Sequence, residues 1–450
     1  MKSKEKILTL LPYFLQNTLI TTFNALQYKV RHGGKYNVFR TFYQSVDSMS
    51  PLELDKQKHL KEEEFLQYAT NNSKWYEAYA GLELKNFPIL EKVDVINNLN
   101  NLKTIDEAEG LVSLTGGTTG ASMKVVYTKS DMQERFAILD HFRAKHGYEL
   151  GIKTAWFSGK NLITEKDLKK GVCSHYDFIN KIRFYSTFHI NEKNFDVYWS
   201  SLSKFQPEFI VGFPSSVYEI CEIADRLGLR LEHKVKVFFP TAETVLSQHR
   251  EVIGRVLGCR LVDQYASSEG APFILECEEG SLHIHPLTGI FEVVDENMQP
   301  AIEGEVLVTS FTTKGTPLIR YRVGDRIRVS SPEKICKCGS LFPLVDKIEG
   351  RTTDFVYSPE KGRINLGNLS NATKDAKGIV CFQVIQNLEN EIDIKLVVSE
   401  QYAKNEEKNF VSAIRERVGN KLKINIEYVA DIPREKSGKF RIVKNNLKFN

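Results

Sequence analysis

The chain has 450 residues, of which 42% are hydrophobic and 26% are charged, a composition typical of globular proteins that excludes a disordered or collagen-like chain. Because this length exceeds the size at which one hydrophobic core keeps growing, we expect two or more domains. The 61 Lys and Arg residues nearly balance the 57 Asp and Glu residues, and a formal net charge of +4 gives no ground to expect nucleic-acid binding.

The first thirty residues contain apolar runs that polar residues interrupt. Ile7–Leu15 follows the charged residues 4–6 and is ended by Gln16 and Asn17. With no small-residue cleavage site and no run of about 18 apolar residues, we expect neither a signal peptide nor a transmembrane segment. The pattern predicts an amphipathic helix packed on its own domain, and a helix lying on a membrane surface is the alternative.

Residues 1–110 are rich in helix-compatible sequence, notably Asp55–Tyr68 and Trp75–Leu82. Between residues 111 and 275, apolar runs alternate with helical stretches in the βαβ rhythm of a parallel sheet. The predicted strands are Leu111–Leu114, Phe209–Val211, Val235–Phe239 and Leu261–Tyr265, with helices at Ser215–Leu227 and Val245–Leu257.

The cysteines are seven in number and scattered along the chain. An odd count without a secretory signal favours reduced thiols and a cytoplasmic location over a disulfide framework. They are Cys173, Cys221, Cys259, Cys277, Cys336, Cys338 and Cys381.

In the second half of the chain, short apolar segments separated by glycine and proline predict an antiparallel β subdomain at 276–350, followed by a smaller unit. We place a domain boundary near Arg351, which gives a core at 1–350 and a mobile α+β domain at 351–450. The predicted class is therefore α/β, with parallel sheets in the large domain. The predicted strands are Ile290–Val294, Glu305–Val308, Arg326–Val329, Val380–Ile385, Ile392–Val398 and Ile424–Val429, with a helix at Glu406–Val418.

A loop after Leu114 combines three glycines and four hydroxyl side chains in the eight positions 115–122. Such a loop can turn tightly and offer backbone N–H and hydroxyl donors to phosphate oxygens. It matches neither the Walker A pattern nor G-x-G-x-x-G. From these residues alone, a solvated flexible turn remains the alternative.

Three side chains farther along the chain also suit a nucleotide site. The Asp325 carboxylate can accept hydrogen bonds from both ribose hydroxyls, Glu269 suits a hard cation, and Lys439 carries a flexible point charge. Taken singly, each has an ordinary alternative: a turn aspartate, a surface acid and a solvated basic tail.

The ordered set of segments resembles the adenylate-forming superfamily, in its phenylacetate–CoA ligase-like branch, from about residue 110 to 445. Asp263–Glu269 is similar to the aromatic-small-x-Ser/Thr-Glu motif and Tyr321–Asp325 to Y-R-T-G-D. Gly350–Asp354 is similar to the hinge motif and Pro433–Arg441 to P-R-x-x-S-G-K.

This resemblance implies an enzyme that activates a carboxylic acid with ATP and Mg²⁺, forms an acyl-adenylate, releases pyrophosphate and transfers the acyl group to CoA. Glu269 would hold Mg²⁺, and Glu269 and Lys439 are the implied catalytic residues. The implied ATP-binding residues are Thr115, Gly116, Gly117, Thr118, Thr119, Gly120, Lys124, Ala242, Glu243, Thr244, Tyr265, Ser268, Asp325 and Arg351.

Two departures from the family pattern bear on the acceptor. Thr353 stands where family members usually carry Asp or Lys, and Ser358–Arg363 lacks the usual glycine-rich pattern. These departures resemble the branch encoded with capsule and surface-polysaccharide genes, so transfer to a carrier, or to an amine of a sugar or amino acid, is the alternative. A catalytically silent nucleotide-binding protein is a third hypothesis. The oligomeric state is left open.

A structural zinc site is predicted from Cys277, His283, Cys336 and Cys338. Three thiolates and one imidazole complete a tetrahedral Cys₃His set, with His285 as the reserve ligand. The resemblance supports it, because several phenylacetate–CoA ligase-like proteins carry a similar C-x₅-H and C-x-C pair. Unliganded cysteines are the alternative.

The acid is predicted to bind where loops follow strand ends, with Trp156, Phe213, Pro214 and Ala242 lining its pocket. Ordinary core packing is the alternative interpretation of these four residues.

Overall fold

The computed structural model describes residues 11–114, 123–158, 163–267, 269–351, 355–360, 362–365, 379–398, 402–433 and 441–447. These residues group into two compact units. One contains the described residues of Met1–Thr18, Lys153–Leu261 and Glu349–Asn450, and the other those of Leu19–Ile152 and Val262–Ile348. The domain boundary near Arg351 stays a prediction.

The first unit contains a six-stranded sheet in which all but one pair of neighbours run parallel. Phe209–Gly212 and Val237–Pro240 are buried at every position, as expected for parallel strands covered on both faces. In spatial order the strands are Ser174–Asp177, Ile182–Ser186, Thr154–Ser158, Phe209–Gly212, Val237–Pro240 and Arg260–Leu261. The helices are Glu165–Lys169, Phe195–Phe205, Pro214–Arg226 and Ser247–Leu257, with a 3₁₀ turn at Glu192–Asn194.

The same unit includes a four-stranded sheet with a core of its own, packed against the helix Lys404–Val418. The strands predicted here and their helix are confirmed. The strand Val443–Asn445, parallel to Ile379–Leu388, escaped prediction because one apolar residue in three gives no alternation. The order is Lys423–Tyr428, Glu391–Val398, Ile379–Leu388 and Val443–Asn445, and a separate hairpin joins Phe355–Ser358 to Gly362–Asn365.

The second unit contains a seven-stranded sheet, and the predicted antiparallel β subdomain is confirmed by its first three strands. In spatial order the strands are Gly289–Val294, Glu303–Ser310, Tyr321–Val329, Leu344–Arg351, Leu282–Ile284, Ile274–Glu276 and Gln264–Tyr265. The last three residues of Leu344–Arg351 belong to the first unit.

Helices precede this sheet in the chain, as the predicted helical start requires. The charged run Asp55–Tyr68 lies within Pro51–Asn72, where Ser50 and Glu53 form a capping box and proline occupies the first turn. The expectation for Trp75–Leu82 is wrong, because only a 3₁₀ turn at Glu77–Tyr79 forms there. The other elements are the helices Tyr13–His32, Tyr36–Val46, Lys92–Leu102 and Lys129–Lys145 and the 3₁₀ turn Leu84–Asn86.

Two strand predictions are corrected. Leu111–Leu114 does not belong to the parallel sheet: it pairs antiparallel with Lys124–Tyr127, and its residues alternate between half-buried and exposed. Leu261–Tyr265 is divided, since Arg260–Leu261 ends the parallel sheet and Gln264–Tyr265 begins the seven-stranded one. A short, partly apolar segment does not specify its partner strand, so neither outcome could be deduced from the segment itself.

The helix Tyr13–His32 buries polar residues and exposes apolar ones, which contradicts the expectation that its apolar face packs on its own domain. Gln16 and Thr21 are buried, whereas Leu19, Phe23 and Leu26 are exposed. None of the described helices is both long enough and apolar enough to cross a membrane.

Candidate nucleotide and metal sites

Two predicted motif residues meet within the seven-stranded sheet. The hydroxyl of Tyr265 donates a hydrogen bond of 2.6 Å to Oδ2 of Asp325. Tyr265 pairs with Ile274 in a short edge strand, and its ring centroid lies 6.2 Å from that of Phe291. Two residues that the resemblance assigns to ATP binding are therefore direct neighbours, although 60 positions separate them.

A β-bulge presents Asp325. Glu305 pairs with Arg326 and Leu307 with Arg322, so a single residue of one strand stands opposite three of the other. Within the bulge, Gly324 has a φ of +80°, which a residue with a side chain adopts only at a cost. The bulge re-aims the strand at this point, and the glycine of the motif is explained by the backbone conformation it permits.

Replacing Tyr265 by phenylalanine is expected to raise the KM for ATP about fivefold with little change in kcat, because a hydrogen bond to a carboxylate contributes roughly 1 kcal/mol or more. Steady-state kinetics at saturating acid would measure this. Tyr402→Phe is a matched control, since it removes another tyrosine hydroxyl contact, to Tyr428. An unchanged KM in Tyr265→Phe would remove the hydroxyl from the nucleotide site.

Glu269 lies half-buried in a loop that a buried arginine holds in place. The guanidinium of Arg135, on the helix Lys129–Lys145, donates to the carbonyl oxygens of Gly270 at 3.0 Å and Ala271 at 3.2 Å. It also donates to Oγ1 of Thr312 at 2.8 Å. The two residues that follow Glu269 are thus fixed by charge-assisted hydrogen bonds in a buried environment.

Close packing fixes the same loop from the other side. Gly270 has a φ of +92°, and a Cβ atom added there would lie 2.5 Å from Cγ2 of Thr313 and 2.6 Å from the hydroxyl of Tyr127. Burial raises the pKa of Tyr127 to about 12, so its hydroxyl stays protonated. Burial also lowers the pKa of Arg135, while Tyr127 and nearby carboxylates act in the opposite direction. Only glycine fits at position 270 without displacing the neighbouring side chains.

We predict that Arg135 positions Glu269. Arg135→Lys keeps the charge but cannot reproduce the fork of donors, and we expect it to raise the Mg²⁺ concentration for half-maximal activity about tenfold. Thr312→Val is a milder variant that removes one acceptor and should shift this concentration less. A purely structural role would lower the melting temperature and leave the Mg²⁺ dependence of the remaining folded enzyme unchanged.

Lys124, which the sequence assigned to ATP, forms an ion pair with Glu107. Its Nζ lies 2.8 Å and 2.9 Å from the two carboxylate oxygens. Both side chains are partly exposed, so the pair contributes at most about 1 kcal/mol. Such a weak pair permits Lys124 to turn to a phosphate, and its role in ATP binding stays a prediction.

The segment Ala242–Thr244 follows the parallel strand Val237–Pro240. Ala242 is exposed and has a φ of +64°, an uncommon conformation for alanine. The carboxylate of Glu243 accepts hydrogen bonds of 3.0 Å from both the backbone N–H and the hydroxyl of Ser215, at the start of a helix. Glu243 therefore anchors this loop to the helix N-terminus, a favourable place for a negative charge.

The predicted hinge glycine lies beside this segment. A Cβ atom on Gly350, whose φ is +84°, would come within 2.9 Å of Oγ1 of Thr244. Two segments that the sequence assigned to the nucleotide, about a hundred residues apart, are therefore in contact within one unit.

The residues predicted to line the acid pocket differ in exposure. Phe213 and Pro214 are buried, Trp156 is half-buried and Ala242 is exposed. Only glycine fits at position 212, directly before Phe213, because a Cβ atom there would lie 2.1 Å from the carbonyl oxygen of Phe157. The pocket stays a prediction.

Several predicted site residues lie outside the described residues: Thr115, Gly116, Gly117, Thr118, Thr119, Gly120, Ser268, Thr353, Lys439 and the side chain of Arg351.

The four predicted zinc ligands lie together. Their candidate ligand atoms, on Cys277, His283, Cys336 and Cys338, all lie within 4.8 Å of one another. Sγ of Cys277 is 3.7 Å from Sγ of Cys336, and Sγ of Cys338 is 3.5 Å from Nε2 of His283. Two thiolates bound tetrahedrally at about 2.3 Å from one ion are separated by about 3.8 Å, so the donor set fits zinc.

A backbone carbonyl orients the histidine of this set. Nδ1 of His283 lies 3.1 Å from the carbonyl oxygen of Phe342, which places the proton on Nδ1 and leaves Nε2 to face the sulfur atoms. The reserve ligand His285 is instead buried beside the rings of Tyr43 and Phe342, and burial lowers its pKa to about 3. None of the cysteines in the described residues forms a disulfide.

Comparisons with known proteins agree with this architecture. The family model described as the CapK C-terminal domain matches residues 356–446. Protein CapK of Staphylococcus aureus is 30% identical over 453 residues, covering 97% of this chain and 98% of the relative. A phenylacetate-coenzyme A ligase of Pseudomonas putida is 25% identical over 290 residues, covering 61% of this chain and 62% of the relative.

A solved structure has the same fold. The crystal structure of 2-hydroxyisobutyryl-CoA ligase in the postadenylation state, in complex with R3-HIB-AMP, has a TM-score of 0.69 and 17% identity. The alignment covers 89% of this chain and 91% of that one. The same ligase with 2-HIB-AMP and CoA in the thioesterification state has a TM-score of 0.56 and 18% identity, over 89% and 91% of the two chains. The predicted α/β class is confirmed.

Proposed function

Because the chain belongs to the CapK family, a branch of the adenylate-forming superfamily, we propose that it activates a carboxylic acid with ATP and then transfers the acyl group to CoA. The hydrogen bond between Tyr265 and Asp325 carries this proposal, since it joins two separate nucleotide motifs at one point of the sheet. The phenylacetate-coenzyme A ligase and the 2-hydroxyisobutyryl-CoA ligase add support by sequence and by fold respectively.

In the first step, a carboxylate oxygen of the acid attacks the α-phosphorus of ATP, and the bond to the bridging oxygen breaks to release pyrophosphate. A carboxylate is already a nucleophile, so the step needs no protein base. It depends on alignment and on neutralisation of charge. Asp325 would accept hydrogen bonds from the ribose hydroxyls, while Tyr265 would orient Asp325 and pack on adenine.

The negative charge of the triphosphate must be balanced by several groups. Mg²⁺, when bound, would neutralise phosphate oxygens, and the half-buried carboxylate of Glu269 is an oxygen donor suited to hold it. Thr115, Thr118 and Thr119 would bind the β- and γ-phosphates, and Lys439 would stabilise charge that develops as pyrophosphate leaves. The fixed loop around Gly270 keeps Glu269 in place before the nucleotide binds.

A second step passes the acyl group to an acceptor. We propose CoA, with backbone rotation near Arg351 and Thr353 separating the two steps. The thiolate of CoA would attack the acyl carbon, and AMP would leave with the bonding electron pair.

A second candidate acceptor is a carrier, or an amine of a sugar or amino acid, in surface-polysaccharide biosynthesis. Protein CapK aligns with 97% of this chain, but the Pseudomonas putida CoA ligase aligns with only 61%. The similarity to a ligase that uses CoA therefore does not extend over the whole chain. Ser358–Arg363 supports the second candidate too, because this segment lacks the glycine-rich pattern that is usual in the family after the hinge.

We also propose that zinc at Cys277, His283, Cys336 and Cys338 is structural. Four protein ligands would complete the tetrahedral coordination sphere of the ion and leave no coordination position for a substrate. Its contribution would be to join the loop after Ile335 to the turn after Glu276.

ATP–pyrophosphate exchange with a panel of carboxylic acids tests the proposal, and hydroxylamine trapping of the acyl-adenylate would identify the acid without assuming an acceptor. We expect exchange that depends on one class of acid and on Mg²⁺. Incubation with CoA or with candidate amines, followed by product analysis, would then distinguish the two acceptors.

A protein that binds ATP but supports no exchange with any acid of a broad panel would be a silent nucleotide-binding protein. That outcome would overturn the proposed activity. Exchange without CoA consumption would retain acid activation and favour the second acceptor.

A further inference from the structure

The helix Tyr13–His32 presents an apolar stripe to solvent. Leu19, Phe23 and Leu26 are 50%, 55% and 61% exposed. Residues three and four positions apart lie on the same side of a helix, so these three side chains form one continuous stripe of two turns. We call Leu19, Phe23 and Leu26 the outer stripe.

Hydrogen bonds at the beginning of the helix fix which side faces outward. The side-chain oxygen of Asn17 accepts from the backbone N–H of Tyr176 at 3.2 Å and lies 3.1 Å from Nδ1 of His175. The hydroxyl of Tyr13 donates to the carbonyl of Ser174 at 2.7 Å. Rolling the helix to bury the outer stripe would break these contacts and expose their partners.

The end of the helix is fixed in the same sense. Nε2 of Gln133 donates to the carbonyl oxygen of Val30 at 3.0 Å, and Nε2 of His32 lies 3.0 Å from Oδ2 of the buried Asp140. The polar side of the helix therefore has specific partners at both ends, and its apolar side faces solvent.

The chain segment that carries the stripe has charged residues of one sign only. From Pro12 to Val46 the sequence has no Asp or Glu, but it has Lys29, Arg31, Lys35 and Arg40. These four cations equal the formal net charge of the whole chain, +4. Lys29 and Lys35 are exposed, and so is Val38 on the following helix.

We propose that the outer stripe binds the surface of an anionic lipid bilayer. An apolar stripe flanked by cations is the pattern of a helix that lies in the membrane interface, with its apolar side chains among the acyl chains and its lysines at the headgroups. A second copy of this chain fits less well, because a two-fold contact through the stripe would bring the lysines of both copies, Lys29 and Lys35, to one interface without a carboxylate from the same segment to balance them.

Vesicle sedimentation with the full-length protein tests this. We expect binding to vesicles of one part phosphatidylglycerol to two parts phosphatidylcholine at least about tenfold tighter than to phosphatidylcholine alone, and a decrease in high salt. Leu19→Ser, Phe23→Ser and Leu26→Ser combined should weaken binding by at least about tenfold. Lys29→Glu with Lys35→Glu should remove the preference for the anionic lipid.

A matched control replaces Leu227, Ile302 and Leu388 by serine, since these are 58%, 70% and 57% exposed and lie elsewhere in the sequence. The control should bind vesicles like the unchanged protein. The adenylation activity of the stripe variant, measured without vesicles, should stay unchanged, which separates this test from that of the proposed function.

The variant Phe23→Trp places a fluorescent side chain in the stripe. The emission of this tryptophan should shift to shorter wavelength when anionic vesicles are added, and brominated lipid should quench it. The emission of the tryptophan in Ile302→Trp should show neither effect. The proposal is overturned if the unchanged protein does not bind anionic vesicles or if the stripe variant binds equally well. A dimer that dissociates in the stripe variant, without vesicle binding, would assign the stripe to a second copy and would also overturn it.

Discussion

Replacing Lys439 by alanine is expected to lower ATP–pyrophosphate exchange by about a hundredfold or more, while the Kd for ATP changes less than about threefold. A charge aimed at the leaving pyrophosphate acts mainly in the transition state, so its loss lowers kcat more than it weakens binding. Exchange at saturating acid and ATP, together with calorimetric ATP binding, would measure both effects.

Lys421→Ala is the matched control, because it removes an exposed cation from the same region of the chain without touching the motif. We expect normal exchange in this variant. Comparable turnover in Lys439→Ala and the unchanged enzyme would withdraw the assignment. A large loss of ATP affinity would make the lysine a binding residue instead.

Replacing Cys336 by serine is expected to abolish stoichiometric zinc and to lower the free energy of unfolding by roughly 4 kcal/mol, because metal binding contributes directly to folding. Three remaining donors would bind the ion weakly. Metal analysis and denaturant unfolding of protein purified without added zinc would test this.

The half-exposed Cys381 lies outside the cluster, so Cys381→Ser should retain one equivalent of zinc and normal stability. Less than half an equivalent in the unchanged protein would count against the zinc site. Zinc loss that abolished exchange without loss of stability would contradict a purely structural role.

The members of both candidate sites could be named from the sequence, but their contacts could not. Spacing identified Cys277, His283, Cys336 and Cys338 as one set, and ordered motifs identified Tyr265 and Asp325. The orienting carbonyl of Phe342 and the bulge at Gly324 have no such signature, since every residue has a carbonyl and glycines occur in many turns.

Arg135 was missed for a different reason. An arginine in the middle of a helix is ordinarily a surface residue, and its function here depends on burial against a loop more than a hundred positions away. Its neighbours Gln133 and Glu134 are buried as well, but in the sequence they form an ordinary polar run, which gives no sign of that burial.

The parallel sheet and the N-terminal helix show what the pattern of apolar residues in the sequence predicts and what it leaves open. Strands Phe209–Gly212 and Val237–Pro240 were predicted because they are apolar throughout and alternate with helices. Periodicity also revealed an amphipathic helix at the start, but it does not state which side packs on the protein. Only the polar partners of Asn17 and His32 decide that.

The interleaving of the two units has a consequence for how the protein is made. Each unit is assembled from segments far apart in the chain: the second is completed only at Ile348, and the first needs residues from 349 onward. At a synthesis rate of about 5–20 residues per second, buried side chains of the second unit such as Phe65 wait many seconds on the ribosome for partners such as Phe311. We infer slow folding after release and a need for chaperone protection of the nascent chain.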